Sequence, residues 1–199
     1  MTILNGEKVK KIFLFGLLFA SFGANPACAD TYVSGSAGFG FLGNLKQNNV
    51  VTAEYDSGYA LNGAVGYDFK GIRAEVAVGY QINDFDTFNG RKVRDELKPR
   101  VSILTVLANS YYDFSAGSVV KPYVTAGLGV ANVEFSDISN STNDTYFAWQ
   151  VGGGIGFEVS RNISFDLGYR YLKPVGLTVR GYDASFESQN VLAGIRYRF

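Results

Sequence analysis

Eight stretches that alternate apolar with polar residues, connections that run long and short by turns, and polar faces made of small residues predict the fold class. It is all-β, an eight-stranded antiparallel transmembrane up-and-down β-barrel. The period of two marks each strand, because successive side chains leave a strand on opposite sides. The pattern of connections gives the topology. The small polar faces decide which side is inside.

The stretches, in order, are "YVSGSAGFGFL" (32–42), "GYALNGAVGYDF" (58–69), "IRAEVAVGYQIN" (72–83) and "RVSILTVLANSYYDF" (100–114). They continue with "KPYVTAGLGVANVEF" (121–135), "TYFAWQVGGGIGFEV" (145–159), "ISFDLGYRYL" (163–172) and the ending "QNVLAGIRYRF". In the third, Ile72, Ala74, Val76, Val78, Tyr80 and Ile82 share one face, and Arg73, Glu75, Ala77, Gly79, Gln81 and Asn83 the other. The sixth and seventh split as cleanly. In the last, only Leu192 breaks the alternation. The fourth and fifth do not fix their own registers, since Ile103, Leu104, Val106 and Leu107 are apolar on both sides.

A soluble sandwich would cover its polar face with Lys and Glu, whereas these faces are rich in Gly, Ala, Ser and Asn with isolated charges. Small side chains belong in a crowded place. An eight-stranded barrel has a lumen just wide enough for side chains to fill, and its aromatic and branched face meets lipid. Strands of 10 to 15 residues suit a tilted crossing, which needs ~9 to 11. The connections run 15 residues, then Lys70-Gly71, then 16, then "SAGSVV", then 9, then "SRN", then a long segment before the ending. Long extracellular loops and short periplasmic turns alternate in this way in outer-membrane barrels, which puts Phe199 at the periplasmic rim. Aromatic side chains toward strand ends, among them Tyr59, Tyr67, Tyr80, Trp149, Tyr171 and Tyr197, form the interface girdles.

Residues 1–29 read as a signal peptide and residues 30–199 as the barrel domain. Lys8, Lys10 and Lys11 precede the 11-residue run "IFLFGLLFASF", and Ala27-Cys28-Ala29 supplies an A-x-A cleavage site. The run is too short for a membrane helix, which takes ~20 residues. Cys28, the single cysteine, raises the alternative of a lipoprotein, but Asn25-Pro26-Ala27 lacks the usual upstream Leu. Removing Lys8, Lys10, Lys11 and Glu7 from 18 basic and 18 acidic side chains leaves 15 and 17, a net charge of −2. Neither balance suits a protein held to nucleic acid.

The terminal "RYRF", together with "VGGGIGFEVSRNISFDLGYRYL" and "VLANSYYDF", resembles the small outer-membrane β-barrel family that includes opacity-like proteins, the membrane domain of outer-membrane protein A and rickettsial-type surface antigens. The resemblance spans residues 30–199 and implies a place in the outer membrane of a Gram-negative bacterium. It also implies that the aromatic ending, Tyr197 and Phe199, is the signal read by the barrel-assembly machinery.

Chemistry is scarce. "GFGFLG" (38–43) matches a dinucleotide fingerprint, but its glycines lie within a strand and no helix follows, so they are read as relieving crowding in the lumen, as are Gly152, Gly153, Gly154 and Gly156. The chain contains no histidine, the residue that known barrel enzymes use as base or orienting group. No catalytic, cofactor or metal site is expected. The mixed charges of "DFDTFNGRKVRDELKP" (84–99) are read as a solvated loop that could touch lipopolysaccharide phosphates or a host ligand, and Asn140-Ser141-Thr142 as a sequon without meaning in a bacterial loop.

The lumen is the informative place. On these registers it receives Arg73, Arg170, Arg196 and Arg198 together with Asp68, Glu75, Glu158 and Asp166, four of each sign and all but Arg170 toward the short turns. They are expected to form a plug of ion pairs. The expected function is a non-enzymatic surface protein with a structural or adhesion-like role in four extracellular loops, contacting lipid, lipopolysaccharide or a host or environmental ligand. The alternative is a narrow porin.

Overall fold

The computed structural model describes residues 29–199, apart from 44, 48, 49, 56, 89, 90, 93–99, 115–118, 137–140, 177, 180, 181 and 186. Residues 1–28 of the segment read as a signal peptide, Cys28 among them, therefore lie outside the described residues.

Among the described residues thirteen strands follow in chain order: β1 (Asp30–Leu42), β2 (Leu45–Gln47), β3 (Val50–Tyr55), β4 (Gly58–Asp68), β5 (Ile72–Phe88), β6 (Arg91–Lys92) and β7 (Arg100–Asp113). After them come β8 (Val120–Ser136), β9 (Ser141–Glu158), β10 (Ile163–Val175), β11 (Thr178–Val179), β12 (Tyr182–Ser185) and β13 (Ser188–Arg198). The eight long ones, β1, β4, β5, β7, β8, β9, β10 and β13, each pair antiparallel with the next, and β13 pairs back onto β1. That closure makes an up-and-down barrel with no free edge along its wall. Among the described residues there is no helix.

Alternation holds along the whole wall. Arg73, Glu75, Ala77, Gly79, Gln81 and Asn83 of β5 are buried, while Ile72, Val78 and Tyr80 between them are exposed. Phe39, Val65 and Leu128 are 55%, 55% and 58% exposed, members of an apolar belt running around the outside. Such a belt is untenable in water and natural in lipid. The registers that the sequence left loose settle with Val101, Ile103, Thr105, Leu107, Asn109 and Tyr111 buried on β7 and Tyr123, Thr125 and Gly127 on β8. Leu192, the exception on β13, faces the lumen and is buried.

One end of the barrel holds the short turns and both ends of the domain. The Lys70-Gly71 turn has positive φ at both residues, 61° and 114°, as a two-residue hairpin with the right twist requires. Asp68 holds it, its Oδ1 accepting from the amides of Lys70 (3.0 Å) and Gly71 (3.3 Å). At the other end β5, β8 and β9 extend past the predicted limits, because their pairing continues beyond the wall: Ser136 still faces Ser141. The short strands, which the sequence did not reveal, join three of the four long connections. Ala53 of the first pairs with Phe88 at the start of the second, and Gln47 of the first with Ala184 of the last.

Candidate functional site

The lumen is packed differently at its two ends. Toward the loops, Leu42, Val101, Ile103, Leu107, Ala131, Val133, Ala148 and Leu172 form one apolar cluster, supplied by β1 and by β7 to β10. The facing wall is amide and hydroxyl. Ser188 Oγ donates to Gln81 Oε1 (2.6 Å), Gln81 Nε2 to Asn83 Oδ1 (2.7 Å), and Asn83 Nδ2 to the carbonyl of Gly40 (2.8 Å). A side chain at Gly40 would run into the Gln81 amide, so glycine is needed there to let that amide cross the lumen.

Toward the turns, ionic and phenolic groups fill the space. Arg73 donates to Asp113 from Nε (2.7 Å) and Nη2 (2.6 Å), a two-pronged pair whose arginine side chain is 4% exposed. Its guanidinium lies 4.3 Å from the ring centre of Tyr111 and 5.1 Å from that of Tyr123. Glu75 gathers three neutral donors: Tyr111 Oη (2.7 Å), Tyr32 Oη (2.9 Å) and Asn109 Nδ2 (3.1 Å). Arg170 Nη2 donates to the Tyr111 hydroxyl at 3.0 Å. Arg196 Nη2 reaches Asp166 at 3.4 Å, and Arg198 Nη2 reaches Asp68 at 3.0 Å and Glu158 at 3.7 Å. Lys121 closes the rim on Glu158 at 2.7 Å.

Of the eight charged residues named from sequence, Arg196 and Asp166 pair with each other, and Arg198 bridges Asp68 and Glu158. Arg73 pairs outside the set, and the printed contacts of Glu75 and Arg170 are to neutral groups. Sequence reasoning missed Asp113, Lys121 and the three inward tyrosines, Tyr32, Tyr111 and Tyr123. The signal was there for Tyr32, which shares parity with Ser34 and Ser36. For the others it depended on the β7 and β8 registers.

One reading is corrected. Gly153 lies in the outward row with Val151 and Ile155, opposite the outward Tyr169 and Val124, so it relieves nothing in the lumen. Gly154 and Gly168 do face in, and a side chain on either would collide with the Tyr123 phenol. The expected girdle residues Tyr59, Tyr80 and Tyr197 are exposed on the outside, and Trp149 lies against Tyr171 with ring centres 5.6 Å apart and ring planes tilted by 41°. At the turn end Tyr197 meets Phe199 edge to face at 5.2 Å, and the Phe199 amide donates to the carbonyl of Thr31. "GFGFLG" lies across the end of β1, inside the wall except for Gly43. The side chains of the 84–99 and 140–142 segments lie outside the described residues. Among the described residues no group of three or more His, Cys, Asp or Glu side chains is placed to hold a metal ion.

Known proteins share this architecture. The structure of neisserial surface protein A is similar with a TM-score of 0.63, at 22% identity, over 86% of this chain and 99% of that one. In sequence, the chain is 26% identical to the outer membrane protein PagN of Salmonella typhimurium, over 84% of this chain and 89% of PagN. It is also 26% identical to a candidate adhesin of Rickettsia conorii, RC1281, over 77% and 70%. The profile described as "Outer membrane protein beta-barrel domain" matches residues 15–199, and the chain belongs to that family of Gram-negative outer-membrane barrels.

Proposed function

We propose that this is a non-enzymatic surface protein in which a filled barrel serves as anchor and the connections at the loop end carry an adhesion-like role. The observation that carries this reading is the lumen, occupied by an apolar cluster and an amide chain at one end and by ion pairs at the other. A barrel built to pass solutes would leave an aqueous channel. Backbone pairing among the first, second and last long connections supports the display role, since it ties them into one continuous sheet above the wall. The likeness to the rickettsial candidate adhesin points the same way. In this reading the long connections face outward from the cell and the short turns face the periplasm.

The test removes residues 45–55 or 178–185 in separate variants and measures attachment of cells displaying each one to host-cell or matrix-coated surfaces. Loss of attachment with normal amounts of folded barrel is the expected outcome. Full attachment by both variants would reject the adhesion-like role.

A further inference from the structure

Two glycines on the outside of the wall have no steric need to be glycine. In the lumen an added Cβ would collide with neighbouring atoms at Gly38, Gly66, Gly152 or Gly154. At Gly35 it would meet nothing within 4 Å, and at Gly63 only the Ser34 carbonyl, at 4.0 Å. Both sit in mid-strand, on β1 and β4, where glycine weakens a strand by losing more freedom on folding and by offering no side chain to pack. Internal packing accounts for neither.

Together they open a hollow of about 680 Å³ in the outer wall. Across the strands, Phe165, Ile195, Gly35, Gly63 and Val78 are consecutive neighbours on β10, β13, β1, β4 and β5. The two glycines are the floor, and the exposed side chains on either side are the banks. Ala37 and Ala193, which face each other one row nearer the loops, lengthen the floor, and Leu61 and Tyr80 continue the second bank.

Chemistry limits what fills it. Ser36 and Asn62, which also border the hollow, belong to the inward rows. Of its outward residues only Tyr80 carries a polar side-chain atom, and the backbone groups are engaged in the barrel's ladders. A polar molecule would find almost no partner there, whereas hydrocarbon loses nothing by entering. The hollow lies in the apolar belt, so bilayer hydrocarbon surrounds it. A second copy of the barrel fits less well. Both copies must stand the same way up in a membrane, so a two-fold axis runs along the membrane normal and sets one surface against itself. Hollow would meet hollow and leave a void. What a hollow accepts is a ridge, and an extended hydrocarbon tail is one.

We infer that the hollow holds one acyl chain of a membrane lipid in a fixed position, laid over Gly35 and Gly63 between the two banks. A flush wall touches a chain on one side, but the hollow touches it on three, which multiplies the dispersion contacts that hold it. The site takes a tail and not a particular head group, since no charged side chain borders it. It is independent of the adhesion-like role of the loops.

The test uses the full barrel, refolded into vesicles of palmitoyl-oleoyl phosphatidylglycerol, extracted into mild detergent and weighed by native mass spectrometry. A population carrying one lipid is expected. Gly35→Leu combined with Gly63→Leu should reduce that population about tenfold or more, because the filled floor removes contact with several methylene groups. Ala126→Leu, exposed on β8 at the opposite side of the barrel, should leave it unchanged. Gly35→Ala combined with Gly63→Ala adds two methyl groups to open space; it should raise Tm in lipid-free detergent and still lower lipid retention. The alanine pair decides the matter if the leucine pair does not fold. No lipid on the unmutated barrel, equal retention by the glycine variants, loss from Ala126→Leu or a lowered Tm in the alanine pair overturns the inference. So does a mass of two chains that the leucine pair abolishes, which would give the hollow to a second copy.

Discussion

The two halves of the lumen solve one packing problem with different chemistry. At the loop end, β7 to β10 contribute branched apolar side chains and the opposite wall contributes amides that satisfy one another. At the turn end, charged and phenolic side chains fill most of the space, and ion pairs and hydrogen bonds across the barrel hold Arg73, Glu75, Tyr32, Tyr111 and Arg198. The first arrangement depends on volume and tolerates substitution that keeps it. The second depends on complementary charge and direction, and it fails when one partner is removed. Stability concentrated at the turn end would also secure the closure of β13 on β1, because Arg198 of β13 reaches past β1 to Asp68 of β4.

The largest effect should come from Arg73→Gln, which leaves the Asp113 carboxylate without its two-pronged partner. Loss of one member of a buried pair costs about 3 to 5 kcal/mol, to be read from urea unfolding in lipid vesicles. Arg73→Met combined with Asp113→Leu should recover much of that loss. Next is Glu75→Gln, which replaces the acceptor of three donors by a group with one acceptor oxygen and two donor hydrogens. Its expected cost is about 1 to 3 kcal/mol in the same assay. The smallest should be Ile103→Leu in the loop-end cluster, below about 1.5 kcal/mol because it conserves volume. A reversal of that order would mean that the apolar half is the rigid one.

Much of the wall was legible because a membrane barrel writes its geometry into parity. The β5, β10 and β13 faces could be read residue by residue, since their apolar rows are unbroken, whereas Gly153 interrupts the apolar row of β9 and was misplaced. β7 and β8 could not, because the lumen beside Ile103 and Leu107 is itself apolar and parity carries no contrast there. That hid Asp113 and Lys121, and with them the partner of Arg73 and one partner of Glu158. The inward tyrosines escaped for a related reason. A phenol suits a membrane interface by composition, and only its hydrogen bonds, such as Tyr32 and Tyr111 to Glu75, reveal that it is inside. Short strands of two to six residues in the long connections have no periodicity to read, being made by pairing between segments distant in sequence.

Single-channel recording across a planar bilayer tests most directly whether the two halves together close the barrel. Purified, refolded protein is expected to give a silent bilayer, and Ile103→Leu should stay equally silent. Large, stable, stepwise conductance from the unmutated chain would contradict this, show a continuous aqueous path past both the apolar cluster and the ion pairs, and replace the surface-anchor reading with that of a narrow porin.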